Sequence, residues 1–179
     1  MTGIGNAYAQ GLYSLACEEG VAEEILQQLQ ALDESFVKEP DFLRLLSAVN
    51  LSKEERCGIV DNVLLNKVHI YVLSFLKILT EKGYAGYFHD CFKAYLAQYN
   101  EDNGILSVSA VSAVPLSDAQ KSKLTEKLAA MTGKKISLVN RVDPECLGGI
   151  RLNYDGKQID GTVQNRLKEI RCLLKNTVL

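Results

Sequence analysis

The sequence predicts an α+β multidomain chain: an N-terminal six-helix bundle over residues 1–104, followed by a small α/β C-terminal domain over residues 105–179. Three observations carry this reading. Up to Tyr99, apolar residues recur at helical spacing in six segments parted by Gly, Pro or capping residues. After Glu101-Asp102-Asn103-Gly104 the pattern turns to alternation, with Ile105, Ser107 and Ser109 set against Leu106, Val108 and Ala110. Between Asp143 and Leu167, Asp-Pro, Gly-Gly and Asp-Gly signals punctuate short β-type runs before a last helix.

The first helix is expected over residues 4–18, where Tyr8, Leu12 and Leu15 recur at i, i+4, i+7 beside Ala9 and Ala16. Gly5, Gly11 and the alanines make one flank slim. A slim flank suits either close core packing or a groove for a partner helix. Gly20 ends this helix. Residues 21–38 form the second, with Ile25, Leu29, Leu32 and Phe36 on one side and Pro40 closing it. Residues 41–49 are a short apolar third, with Phe42, Leu43, Leu45 and Leu46. Asn50 or Ser52 can cap the fourth, since Ser52-Lys53-Glu54-Glu55 is a capping-box pattern ahead of Ile59, Val60, Val63 and Leu64. Residues 69–82 are the most apolar helix, with Ile70, Val72, Leu73, Phe75, Leu76, Ile78 and Leu79. So wide an apolar face is either central to the bundle or shared with a partner. Gly83 and Gly86 break the chain, and residues 87–99 form the sixth helix with Phe88, Cys91, Phe92, Tyr95 and Leu96. His89 on its flank is read as a surface or hinge residue.

In the second half, a strand over 105–110 ends its crossover at Pro115. Ser117-Asp118-Ala119-Gln120 is a second capping box, and the helix runs to Met131 with Gly133 at C′. Strands are expected over 136–142, 147–154 and 158–160. Asp143-Pro144 stops the first of these, because proline lacks an N–H and restricts the residue before it. Gly148-Gly149 permits a bulge or a close backbone approach, and Asp155-Gly156 is a hairpin signal. The last helix opens near Asp160–Thr162, with Asp160 as its N-cap or a turn-stabilising carboxylate. Val163, Leu167, Ile170, Leu173 and Leu174 line one side of it.

Composition narrows the function. With 47% hydrophobic residues among 179, the chain is globular and able to form one or two small domains. Residues 1–100 hold eight Lys/Arg against thirteen Asp/Glu, and the remainder twelve against nine, which together give the net charge of −2. An acidic half followed by a mildly basic half suits two domains with different partners. General nucleic-acid binding needs a basic face that this balance does not provide. The cysteines at 17, 57, 91, 146 and 172 form no CxxC pair, so they are expected as reduced, mostly buried thiols in a cytosolic setting. No apolar run reaches the ~18–20 residues that span a bilayer. The N-terminus shows neither a secretory signal nor an Arg-rich transit sequence.

No phosphate loop of the form G-x-x-x-x-G-K-[ST] is present, and no Cys–His, Ser–His–Asp or metal spacing stands out. Glu23-Glu24 and Glu54-Glu55 read as solvated helix surface. No catalytic, cofactor-binding or metal-ligating residues are assigned.

Asp143-Pro144, Leu147-Gly148-Gly149-Ile150, the turn at Gly156 and Ile159-Asp160-Gly161-Thr162, followed by an apolar helix with Leu167, resemble the C-terminal signature of the ATP synthase delta subunit family, called the oligomycin-sensitivity-conferring protein (OSCP) in mitochondria. Asn6-Ala7-Tyr8-Ala9 with Leu12-Tyr13-Ser14-Leu15-Ala16 resembles the family's first helix, though Gly11 stands where an Ala is usual. That glycine weakens helix propensity by roughly 1 kcal/mol. Ser107 to Leu116 resembles the family's alternating run into Ser-Ala-x-Pro-Leu. Ser74-Phe75-Leu76 and Gly83-Tyr84 depart from its Asn-Phe-Leu and Gly-Arg.

The resemblance implies a non-catalytic connector of an F-type, proton-translocating ATP synthase, a stator subunit of the peripheral stalk present once per complex. Residues 1–104 would grip the N-terminal helices of alpha subunits in the catalytic head. Residues 105–179 would hold the b subunit of the stalk, so that rotor torque drives ATP synthesis. Membrane association would be indirect, at the cytoplasmic face of a bacterial cell membrane. By motif position, the alpha-subunit interface is expected at Tyr8, Leu12 and Leu15 with Phe75, Ile78 and Leu79. The stalk-side signature is Asp143, Pro144, Leu147, Gly148, Gly149, Ile150, Gly156, Asp160 and Leu167. The alternatives are a two-domain nucleic-acid-binding protein and an enzyme whose site assembles in space.

Overall fold

The computed structural model describes residues 3–48, 51–154 and 156–167. The helical periodicity builds α1 (Gly3–Glu18), α2 (Ala22–Lys38), α3 (Pro40–Leu46), α4 (Lys53–Leu64), α5 (Ile70–Glu81) and α6 (Phe88–Asp102), with a 3-10 turn at Ala85–Tyr87. The chain divides into two compact units, residues 1–99 and 100–179. The polar stretch after Tyr99 is partly helix: Glu101 and Asp102 complete α6.

One core unites the first unit. Ala9, Leu12, Tyr13 and Ala16 of α1 meet Ile25, Leu29, Leu32 and Phe36 of α2, and Leu73, Leu76 and Leu79 of α5. Phe36 packs edge-on to Phe88 at 4.9 Å and stacks on Phe42 at 5.5 Å. Such pairs add roughly 0.5–1.5 kcal/mol beyond their area. Two buried hydroxyls of this unit find partners, as burial demands. The Tyr95 hydroxyl donates to the Ala22 carbonyl (3.0 Å), and the Thr80 hydroxyl donates to the Leu76 carbonyl (2.8 Å).

The helix ends obey local chemistry. Ser52 and Glu55 form the expected capping box: the Glu55 N–H donates to the Ser52 hydroxyl and the Ser52 N–H to the Glu55 carboxylate. Asn50 and Val49 lie outside the described residues. Pro40 occupies the first turn of α3, so it starts that helix as well as ending α2. His89, read as a surface or hinge residue, is exposed, and it also ties α6 to α2, its Nδ1 lying 2.7 Å from the Asp33 carboxylate. Cys91 and Cys146 are buried and Cys57 is half-buried, but Cys17 is exposed, contrary to the expectation of a buried thiol. It sits on the solvent side of α1, one residue past buried Ala16. Cys172 lies outside the described residues.

The second unit carries β1 (Ile105–Ser112), α7 (Asp118–Thr132), β2 (Lys135–Val142), a 3-10 turn at Pro144–Cys146, β3 (Ile150–Tyr154) and β4 (Lys157–Asp160). The sheet order is β2-β1-β3-β4. The two ends of α7 connect parallel neighbours β1 and β2, while β1–β3 and β3–β4 are antiparallel. Ser117 and Gln120 complete the second capping box, and left-handed Gly133 closes α7. Asn140 locks the crossover. Its amide nitrogen donates to the Ala110 carbonyl and the Ser112 hydroxyl (both 2.9 Å), and its amide oxygen accepts the Leu116 N–H (3.0 Å). Residues 163–167 are helical, whereas Ile170, Leu173 and Leu174 lie outside the described residues, as does Asp155 of the β3–β4 turn.

One strand is shorter than expected. β3 begins at Ile150 rather than Leu147. Leu147 (φ 59°) and Gly149 (φ 82°) are left-handed, which no ladder residue can be, and together with Gly148 they form a loop entering the strand.

Candidate functional site

Helix periodicity splits α5 into two faces. Val72, Leu73, Leu76, Leu79 and Thr80 turn into the core. Tyr71, Ser74, Phe75 and Ile78, spaced by three or four, form a stripe facing α1. Across from them stand Ala7, Tyr8, Gly11, Leu12 and Leu15. The two stripes enclose an open groove of about 290 Å³. Leu12 and Phe75 are nearly buried, while Leu15 (37%) and Ile78 (44%) remain exposed on opposite walls. Gly11 carries no side chain into this space and leaves the α1 flank low. Of the residues expected there, Tyr8, Leu12, Leu15, Phe75 and Ile78 line the groove. Leu79 does not: it is fully buried, one position round the helix from Ile78. Tyr71 and Ser74 were legible as the residues one turn before Phe75 and Ile78.

Polar contacts fix the start of α5. The His69 N–H donates to Gln28 Oε1 (2.6 Å), and Gln28 Nε2 donates to Glu24 (3.1 Å). The His69 ring accepts the Tyr71 N–H at 3.3 Å and caps α5. The Tyr8 ring meets Tyr84 edge-on at 6.2 Å.

The glycine-rich signature in the second unit is a backbone crossing. A methyl group at Gly149 would sit 2.4 Å from the Gly161 carbonyl oxygen and 2.9 Å from Thr162 Cα. The Gly161 N–H donates to the Ile150 carbonyl (3.1 Å) and the Val163 N–H to the Gly148 carbonyl (3.0 Å). Asp160 holds this crossing as a turn-stabilising carboxylate, accepting the Thr162 N–H (3.0 Å) and hydroxyl (2.6 Å). Thr162 itself caps the following helix, accepting the Asn165 N–H at 3.2 Å. Asp143 accepts the Glu145 N–H across Pro144 and approaches the Arg151 guanidinium at 3.4 Å. Burial, and then the Asp143 charge, push the neighbouring Cys146 thiol up. Gly156 is left-handed in the β3–β4 turn, and Ile150 is half-buried at the strand's start. Leu147, 70% exposed, and Leu167 present apolar surface outward.

Among the described residues no three His, Cys, Asp or Glu side chains gather in a metal-holding cluster, and no helix is long and apolar enough to cross a membrane.

Residues 4–174 match the family model described as ATP synthase delta (OSCP) subunit. The chain is 30% identical over 176 residues to the ATP synthase subunit delta of Clostridioides difficile strain 630, covering 98% of this chain and 97% of that one. It is 31% identical over 164 residues to the ATP synthase subunit delta of Alkaliphilus oremlandii strain OhILAs, covering 92% and 91%. A chain in the cryo-EM structure of the Toxoplasma gondii mitochondrial ATP synthase hexamer shares the fold with a TM-score of 0.78 at 16% identity, over 97% of this chain and 98% of that one.

Proposed function

Because the chain belongs to the ATP synthase delta (OSCP) subunit family, a structural component of the complex and not a catalytic one, we propose that it joins the catalytic head to the b-subunit stator and thereby keeps the head from turning with the rotor. One observation carries the head-side half of this reading. The α1–α5 groove is open and mostly apolar, the chemistry that receives the apolar face of an amphipathic helix. We assign it to the N-terminal helix of an alpha subunit, with Tyr8, Leu12 and Leu15 on one wall and Tyr71, Phe75 and Ile78 on the other. The b subunit falls to residues 100–179. The chain would sit at the cytoplasmic face of a bacterial membrane, held there through the complex.

Calorimetric titration of the full chain with a synthetic alpha-subunit N-terminal helix tests the reading. One-to-one binding is expected. Tyr8→Asp and Ile78→Asp should each weaken it by roughly 30-fold or more, the loss typical of a central anchor. Unchanged affinity in both variants would remove the groove from the head interface.

A further inference from the structure

α5 is flanked on two sides and open between them. On one flank Lys77 reaches α4, its ammonium 2.6 Å from the Asp61 carboxylate. On the other flank Tyr71 and Phe75 face α1 across the groove. Between the flanks Ile70, Ser74 and Ile78, spaced by four, run along the helix for about 12 Å. All three are exposed, Ile70 by 60%. Ser74 and Ile78 also line the groove. A helix that buries both isoleucines therefore passes over Ser74.

Ser74 is the polar residue of this strip. Its hydroxyl makes no hydrogen bond among the described residues. Other helical hydroxyls of this unit are satisfied within their own helix: those of Ser35 and Thr80 each donate to the carbonyl four residues earlier, at 2.8 Å. Water serves the exposed Ser74 hydroxyl in the free protein. A docked helix removes that water, and a covered hydroxyl without a partner is a net loss. The serine side chain is too short to reach the groove's rim. The phenols of Tyr8 and Tyr71 differ, because a long ring can be covered while its hydroxyl stays wet. The partner's stripe thus needs a hydrogen-bonding group over Ser74, with apolar residues about one turn to either side for Ile70 and Ile78.

We propose that Ser74 is the specificity-determining residue of the head-side groove, selecting a helix whose docked stripe is apolar except for one hydrogen-bonding side chain placed over it. The proposal rests on the assignment of the groove to the alpha-subunit N-terminal helix made above. The probe is the synthetic alpha-subunit N-terminal helix, titrated into the full chain. Ser74→Ala should weaken binding roughly fivefold or more, the effect of leaving the partner's polar group unpaired. Its denaturation midpoint should not fall, because the hydroxyl holds no hydrogen bond in the free protein and alanine is the better helix former. Replacing the peptide's polar residues by alanine, one at a time, should find one position whose loss is severe against wild type and slight against Ser74→Ala. If Ser74→Ala binds as tightly as wild type, or if every peptide substitution weakens both proteins equally, the proposal is overturned. The groove assignment survives that result so long as Tyr8→Asp and Ile78→Asp still weaken binding. If the peptide does not bind wild type, or binds those two variants as well as wild type, the groove assignment falls and the role of Ser74 with it.

Discussion

Gly149→Ala is the sharpest test of how the second unit is held together. Two terms act at this position. The first is backbone strain, since at φ 82° an L-residue loses roughly 1–2 kcal/mol. The second is a clash, because the new methyl would lie 2.4 Å from the Gly161 carbonyl oxygen, and that atom is backbone and cannot rotate away. Relief requires the strand and the 161–163 segment to part. That movement stretches the bonds from Gly161 to Ile150 and from Val163 to Gly148, each contributing about 1 kcal/mol. The expected total is about 3–4 kcal/mol. Gly156→Ala is the control: its φ is 69°, but nothing lies within 4 Å of an added methyl, so only the strain of about 1–2 kcal/mol applies. Denaturant unfolding read by hydrogen exchange at the β3 amides separates this unit from the helical one. A difference between Gly149→Ala and Gly156→Ala of less than about 0.5 kcal/mol, well inside the gap the clash predicts, would show that the backbone crossing does not resist the methyl.

Ser117→Ala should destabilise the second unit by about 1 kcal/mol through loss of the α7 capping box, measurable as a lower denaturation midpoint with an unchanged slope. Hydrogen bonds from the Ser52 backbone N–H and hydroxyl hold the Glu55 carboxyl below its ordinary value, so its contribution is present above the usual carboxylate range and is lost as pH falls through the lowered value. Glu55→Gln should flatten that part of the acid-unfolding curve, and an unchanged curve would refute the linkage. Burial, then the Asp90 charge, push the Cys91 thiol up to about 11, and Cys146 is raised in the same direction, whereas Cys17 is exposed. Disulfide-exchange labelling at pH 8 with peptide mapping should therefore modify Cys17 promptly, and Cys91 and Cys146 only on unfolding.

Features that depend on neighbours three or four residues away can be read directly along the chain. Ser52 with Glu55, Ser117 with Gln120, the stop at Gly133 and the helical stripes of α2 and α5 are all written within one turn of chain. Mixed helix and sheet, in that order, follow from the change of period near residue 104. Five of the groove residues were legible for the same reason, since Tyr8, Leu12 and Leu15 share one face of α1, and Phe75 and Ile78 one face of α5. Leu79 could not be placed by periodicity alone. The apolar face of α5 is wide, and only the packing of α1 and α2 against it decides that Leu79 goes inward while Ile78 faces the groove. Long-range contacts belong to the tertiary structure alone. The His89–Asp33 pair joins residues 56 positions apart, and Asn140 bonds a strand 30 positions earlier, separations at which no local spacing signals contact. Gly148-Gly149 announced a close approach but not to what: that Gly161 and Thr162 pass against Gly149, and shorten β3 in doing so, is a consequence of two backbones meeting in space.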